Sequence, residues 1–299
     1  MLVAELDRSS FRADFSASQP GIYRALLGDP ASFLREDDVA DLVRHHLLEA
    51  ARVRVLRAGA SIPVNSYSAT RTHGGYSYPA PRPDLLSTIL AGGATVVING
   101  VDEVHQPCAG AARDLEAAVD CRVRVNAYAS FSGLPGFELH WDDHDVLVTQ
   151  VRGTKQWTYA PPSVPHPLPG APGAHDEPAP DALRSTELVP GDVLYLPRGW
   201  WHRASATAGS SLHLTWSLSR PTAVDLIAWL ATEAVHHPSA RADLPVGVDA
   251  DAVAVAKAAI AAVVDTPDLL GRFRRYLAGQ GWDRSTAVLP WTSEPNADT

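Results

Sequence analysis

Cysteine is scarce in this sequence, with two residues, Cys108 and Cys121, among 299. Neither sits in a CxxC spacing, which excludes a zinc ribbon, a thioredoxin-type redox pair and the disulfide framework of a small secreted domain. Both read as reduced thiols. Long apolar runs are missing too, since no stretch reaches the roughly 18 uncharged apolar residues of a membrane span. The opening Met1-Leu2-Val3-Ala4-Glu5-Leu6-Asp7 lacks the basic and apolar regions of a secretory leader. A soluble cytoplasmic protein without membrane contact is therefore expected. Positive charge is in deficit, 25 Lys plus Arg against 34 Asp plus Glu, a net charge of -9. Such a field repels phosphate polyanions, so no direct nucleic-acid partner is expected.

What is present describes a chain that folds. Apolar residues make up 45% and charged residues 20%, which excludes wholesale disorder, and the length suits one large domain with an appendage, or two domains. Residues 1–94 read as an α/β segment packing on a barrel. In it Val39, Leu42, Val43, Leu47 and Ala50 recur at helical steps between Arg35 and Arg52, and a strand follows from Val53 to Leu56. Ser66 to Pro83, centred on His73-Gly74-Gly75, reads as a long loop and a candidate substrate rim. Asp84 is placed to cap a helix that Gly92-Gly93 ends, Thr95 to Ile98 reads as a strand, and Ala111 to Val119 as a second helix.

Residues 95–219 read as the core. From Arg122 onward, strands of five to eight residues alternate with turn chemistry, the pattern of a sandwich or barrel. An insertion at 161–183 carries eight prolines between Pro161 and Pro180, which suits a linker-like surface excursion. Helical period returns over 220–285, in a segment with Val224, Leu226, Ile227 and Leu230, another from Ala250 to Val264 and a third from Asp268 to Leu277. These predict a small helical domain packing on the barrel or on a second subunit, and 286–299 reads as a frayed polar tail.

The chemistry lies in two places. His140 and Asp142, two apart, share a face if Glu138 to Asp145 is extended, and His202 follows the Pro197-Arg198-Gly199 turn. Two histidines and a carboxylate on one face of a metal leave positions open for co-substrate and oxygen, as in non-haem Fe(II) oxygenases; zinc with the same ligands stays open. A polar strand edge would also read HxD. The order of these turns and strands suits a jelly roll with ligands inside. Val146 to Val151 and Gln156 to Tyr159 flank Arg152-Gly153-Thr154 and predict a hairpin whose return strand opens with Lys155. Lys155 is either a solvent-facing hairpin residue or a barrel lysine that needs an anionic partner, such as a dicarboxylate co-substrate. Asn126 and Tyr128 share one strand face, and His213, Thr215 and Ser217 share another. Two polar faces suit a polar pocket, and ordinary solvent-facing alternation would give the same letters.

Read together, these motifs resemble the JmjC-type, cupin-like Fe(II) and 2-oxoglutarate dioxygenases, especially their ribosomal-oxygenase branch. The matching runs are Asn126-Ala127-Tyr128, His140-Trp141-Asp142-Asp143-His144-Asp145-Val146, Gln150-Val151-Arg152-Gly153-Thr154-Lys155-Gln156-Trp157, Gly191 to Gly199 leading to His202, and Ser211-Leu212-His213-Leu214-Thr215. The resemblance implies a mainly β fold, a double-stranded β-helix of jelly-roll or cupin type with N-terminal α/β elements and a C-terminal helical domain. It implies that His140, Asp142 and His202 hold Fe(II) and that Lys155 and Tyr128 bind the distal carboxylate of 2-oxoglutarate. Asn126 and Ser217 match positions near co-substrate or substrate. Asp143, Asp145 and Arg203 are candidates to orient the ligands, with plain surface charge as the preferred reading. A homodimer through the C-terminal helices is also implied. Members of the branch usually add a winged-helix domain that this sequence does not reach, so a ribosomal-protein substrate is not carried over.

The activity implied is hydroxylation of a C–H bond in a protein or peptide side chain, with release of succinate and carbon dioxide. A hydroxylase of a small molecule or a peptide natural product is the second reading, and oxidative demethylation of methyl-lysine a weaker one. A metal cupin without 2-oxoglutarate would not need Lys155 and Tyr128, and a non-catalytic binding module would not need all three metal ligands.

Overall fold

The computed structural model describes residues 1–44, 48–133, 136–207, 209–243 and 250–279. Two compact units divide the chain at Arg220 and Pro221. The first begins with α1 (Leu2–Asp7), α2 (Phe11–Ala17), β1 (Gly21–Tyr23) and α3 (Glu36–Arg44). It continues through β2 (Val53–Arg57), β3 (Ala60–Ile62), β4 (Ser68–His73), β5 (Tyr76–Pro81), α4 (Pro83–Ala91), β6 (Thr95–Ile98) and α5 (Gln106–Val119). The barrel strands follow as β7 (Arg122–Ser130), β8 (Asp145–Arg152), β9 (Lys155–Ala160), β10 (Arg184–Leu188), β11 (Val193–Leu196), β12 (Trp201–Ala206) and β13 (Ser211–Ser219).

Two sheets make a jelly roll. The larger has the order β1-β11-β8-β13-β7-β6-β2-β3 and the smaller β10-β9-β12, all antiparallel where they pair. The N-terminal segment therefore does more than pack on the barrel: its β2 and β3 extend one edge of the large sheet beyond β6, and its β1 lies at the other edge. Behind that sheet, Trp216, Leu214, Val125 and Val123 pack with Leu115 of α5, Leu2 and Leu6 of α1, and Phe33. Between the sheets a smaller cluster of Val146, Val148, Trp157, Tyr159, Leu188, Leu194, Leu196 and Trp200 plugs one end of the barrel. The other end is left for polar groups.

The hairpin expected around Arg152-Gly153-Thr154 does not form. β8 pairs with β11 and β13 in the large sheet, whereas β9 pairs with β10 and β12 in the small one. The chain crosses between sheets at Gly153, whose φ of 62° lies in the left-handed region and whose Cα faces the Ser210 carbonyl. Crossing there turns Lys155 and Trp157 into the barrel. The stretch Ser66 to Pro83, expected as a loop, is the β4–β5 hairpin, turned at Gly74 and Gly75, both at positive φ. Its Thr72 and Ser77 hydroxyls bond across the strands at 2.9 Å, and this two-stranded sheet tolerates Pro79 and Pro81 because it has free edges.

The helix expected over Arg35 to Arg52 is α3 alone, with a short 3-10 turn at Ala50–Arg52; Leu47 and His45-His46 lie outside the described residues. α5 starts five residues earlier than Ala111, with Pro107 in its first turn, a start signal the apolar period misses. Asp84 sits inside the first turn of α4 and pairs with Arg82 in place of capping it. The insertion at 161–183 carries no strand, yet it is anchored. Ser163 accepts a bond from Trp201 Nε1 at 2.9 Å, Ala174 is buried, and the His175 ring lies against Trp141, 5.2 Å between centres.

The second unit holds α6 (Ala223–Glu233), α7 (Ala250–Val264) and α8 (Leu269–Gly279). Thr222 and Asp225 form a capping box at the start of α6. Trp229 packs on Phe273, and Arg272 pairs with Glu233. The tail at 286–299 lies outside the described residues. No helix among them is long and apolar enough to cross a membrane.

Replacing Gly153 with Ala forces a side chain into left-handed backbone against the Ser210 carbonyl. The expected loss is about 1–3 kcal/mol of unfolding free energy, read by urea denaturation. Wild-type stability in that variant would show that the crossing is not constrained there.

Candidate metal centre and active site

The sequence-predicted ligands come together. One atom each of His140, Asp142 and His202 lies within 4.8 Å of the others, and His202 Nε2 is 3.5 Å from Asp142 Oδ2. His202 is the second residue of β12. His140 is not on a regular strand as expected: it makes a single antiparallel bridge to His202, with N–O distances of 3.1 and 2.6 Å. That bridge sets the two imidazoles side by side, 4.5 Å between ring centres. Asp142, two residues on, still meets them, and its carbonyl accepts from Gly199 N at 3.0 Å, which ties the loop to the turn before His202.

The ligands are oriented by backbone. His140 Nδ1 lies 2.8 Å from the Glu138 carbonyl and His202 Nδ1 3.0 Å from the Trp200 carbonyl. Each ring donates its Nδ1 proton there, which leaves Nε2 as the atom it would offer a metal. The donor set and this tautomer fit a divalent transition metal. The charged side chains considered for this orienting role do other work. Asp145 is buried and holds Tyr195, the Arg198 amide and Arg220, Asp143 contacts His144, and Arg203 is exposed.

Burial opposes ionisation of Asp142, but the hydrogen bond and charge of His202, with His144 and His140, outweigh it and hold the carboxyl below the usual range. Burial likewise works to lower the pKa of His202, yet its bond to Asp142 raises it above the ordinary imidazole value. His140 is lowered, by burial first and then by His202.

Lys155 is 3% exposed. Its Nζ donates to His213 Nδ1 at 3.0 Å, and among the described residues it has no carboxylate partner. Burial pushes its pKa down to about 7, and burial with the lysine beside it holds His213 well below 6.5, neutral and able to accept. His213 in turn stacks on Tyr128, 4.7 Å apart and 9° from parallel, as the register Tyr128↔His213 requires. Burial, then the Asp142 charge, pushes Tyr128 up to about 12, so its hydroxyl stays a donor. A buried lysine and a phenol with no anion between them fit one carboxylate of a dicarboxylic acid.

All seven sequence-predicted residues line one cavity of about 260 Å³: His140, Asp142, His202, Lys155, Tyr128, Asn126 and Ser217. Asn126 is placed at its edge, where Oδ1 accepts from Gly100 N at 2.9 Å. Sequence reasoning left His213 without a role and missed Trp157, Phe137 and Arg54. Lys155 itself carried an unused signal, since the chain has two lysines, Lys155 and Lys257, against 23 arginines. A larger apolar cavity of about 670 Å³ lies behind the sheet, lined by Val39, Val43, Leu86 and Leu90, and takes none of the metal-ligating residues.

Residues 105–226 match the JmjC domain profile. Over that stretch the chain resembles a JmjC domain. It shares 36% identity over 104 residues with the bifunctional lysine-specific demethylase and histidyl-hydroxylase NO66 of Drosophila pseudoobscura pseudoobscura, covering 34% of this chain and 11% of that protein. It shares 40% over 96 residues with ribosomal oxygenase 1 of Rattus norvegicus, covering 31% of this chain and 16% of that one. The match thus spans a small part of those relatives. The fold, JmjC segment and flanks together, is similar to the ribosomal oxygenase YcfD of Escherichia coli in complex with cobalt and 2-oxoglutarate. That likeness has a TM-score of 0.58 at 17% identity and covers 88% of this chain and 69% of that one.

The burial of Lys155 makes a stability prediction. Its pKa is about 7 in the fold against 10.5 when free, so the unfolded chain binds more protons between those values and stability rises with pH across that window. Below about pH 7 the full cost stands. Lys155→Met is expected to stabilise the ligand-free protein by about 1–4 kcal/mol at neutral pH, with the gain shrinking toward alkaline pH. Urea unfolding at neutral pH and at about pH 9 reads both; no gain at neutral pH would mean that Lys155 is not held at a cost.

Proposed function

We propose that the protein is an Fe(II)- and 2-oxoglutarate-dependent oxygenase that hydroxylates a C–H bond of a protein or peptide side chain. The observation that carries it is the pairing, in one cavity, of the His140–Asp142–His202 set with a buried Lys155 that has no anionic partner among the described residues. Bound Fe(II) with 2-oxoglutarate would supply the oxidising chemistry, in which dioxygen gives one atom to the co-substrate, which leaves as succinate and carbon dioxide, and the other to a C–H bond, which becomes C–OH. The chain's own residues do the positioning. His140, Asp142 and His202 present three donors from one side, which leaves the opposite side open. Lys155 and Tyr128 hold the far carboxylate, and His213 steers the Lys155 ammonium by accepting from it. Trp157, packed 6.1 Å from His202 and 5.5 Å from His213, keeps water from the wall between them. The names of the NO66 and ribosomal-oxygenase relatives support a protein substrate.

Anaerobically iron-loaded protein is expected to convert 2-oxoglutarate to succinate, and His140→Ala to lose both iron binding and turnover while keeping its circular dichroism. Unchanged turnover in that variant would remove the metal set. Lys155→Ala is expected to weaken 2-oxoglutarate binding by about 30- to 900-fold, about 2–4 kcal/mol, in calorimetry. Normal affinity there would mean the clamp is misassigned.

The helical unit supports a homodimer. Val224 and Ile227 of α6, Val253 and Ile260 of α7 and Leu270 of α8 are apolar and exposed. Light scattering is expected to give twice the chain mass, and Ile227→Glu to shift it toward the monomer. A monomer at high concentration in the wild type would exclude this assembly.

A further inference from the structure

Charge in the cavity is not balanced by the groups assigned so far. Arg54, Lys155 and Arg203 line it, and among the described residues Asp142 is its one acidic lining residue. Asp142 belongs to the metal set and Lys155 to the co-substrate. Arg54 and Arg203 pair with no carboxylate among the described residues, in a chain of net charge -9.

Arg54 is placed by register. Arg54↔Val97, Val97↔Tyr128 and Tyr128↔His213 form one cross-strand row over β2, β6, β7 and β13. Residues opposite one another in a sheet face the same side, so Arg54 stands on the barrel face with Tyr128 and His213, exposed at the open end of the cavity. At about 4.8 Å per strand, its backbone lies about 14 Å from that of His213, where Lys155 rests. Arg54 and Lys155 therefore address opposite ends of the cavity. The Arg54 guanidinium lies over the Phe137 ring, 5.2 Å from its centre, and Phe137 is 5.4 Å from the His140 ring and 6.2 Å from Tyr128. Stacking on an aromatic face holds a guanidinium in place and leaves its N–H edges free for an incoming anion.

We propose that Arg54 reads a carboxylate of the substrate, so that the molecule hydroxylated at this site carries an acidic group next to the reacting carbon. The inference rests on the oxygenase reading above and names its substrate class: an aspartyl or glutamyl side chain of a peptide, or a small carboxylic acid of similar size. A planar carboxylate matches the guanidinium fork with two parallel hydrogen bonds. In a cavity of about 260 Å³ that also takes a metal and a co-substrate, it is the compact anion that fits.

The test uses the full chain loaded with manganese(II) and 2-oxoglutarate under nitrogen. Calorimetry compares two hexapeptide pools that differ only in a central Asp or Glu against Asn or Gln, and compares free glutamate with glutamine. The acidic member is expected to bind at least ten-fold more tightly in one of the two comparisons, and the comparison that shows it tells a peptide from a small-molecule substrate. R54Q is expected to cut that advantage below two-fold, and R54K to keep part of it. Equal binding of acid and amide in both comparisons overturns the proposal, as does an advantage that survives R54Q. An R54Q protein that loses 2-oxoglutarate affinity as Lys155→Ala does would move Arg54 into the co-substrate clamp and overturn it equally. If the wild-type protein binds no 2-oxoglutarate, the oxygenase reading fails, and the acid-against-amide comparison on the metal-loaded protein still decides the role of Arg54 by the same criteria.

Discussion

A lysine ammonium held inside a barrel with a neutral imidazole as its partner is the constraint around which this molecule is arranged. Lys155 is nearly sealed from solvent, and among the described residues the one hydrogen bond of its ammonium goes to His213. For His213 to accept, it must stay uncharged, and burial with the adjoining lysine keeps it so. For it to stay aimed, it must be packed, and Tyr128 stacks flat against it from the neighbouring strand. The whole chain of contacts costs stability until an anion enters, at which point the same burial strengthens the ion pair. A site built this way discriminates by charge before it does by shape.

The barrel interior is split to make that possible. One end is filled by Leu188, Leu194, Leu196 and Trp200 with their neighbours, which fixes the distance between the sheets. The other end takes the polar face of β7 and β13, while the opposite faces of the same strands supply Val123, Val125, Leu214 and Trp216 to the core behind. β13 is thus buried on both faces, and its two-residue alternation separates site from core. The metal set is assembled across a gap: His140 from a loop and His202 from a strand meet through a single backbone bridge, and carbonyl oxygens settle both tautomers. The proline-rich insertion contributes at the rim, where His175 lies on Trp141 next to the ligand loop.

Much of the site was legible in the sequence because its residues come in short runs whose spacing is a local property of the backbone. His140 with Asp142, Asn126 with Tyr128, and His213 with Thr215 and Ser217 are pairs two apart, and extended chain sends them to one side wherever it runs. His202 was legible from the turn in front of it. The hairpin at Gly153 was misread because flanking strands and a glycine turn look alike whether the chain doubles back or crosses to another sheet. The Ser66 to Pro83 hairpin was misread because its glycines and prolines are turn formers, and its pairing rests on Thr72 and Ser77 meeting across the strands. The ligand-orienting groups were missed for a different reason: they are the carbonyls of Glu138 and Trp200, and every residue has one.

By itself, then, the amino-acid sequence determined which side chains share a face, in which order the site segments arrive, and that a jelly roll with an inward HxD pair was the economical way to bury them. Only the tertiary structure decided which strands are neighbours, and with that the separation of Lys155 from Arg54, the partnership of Lys155 with His213, and the seating of Arg54 over Phe137. The physical reason is that alternation is set by dihedral angles within a few residues, whereas pairing is set by competition among distant strands for the same edge. Arg54 precedes Tyr128 by 74 positions and joins its row only through β6, so no local pattern could have carried it into the site.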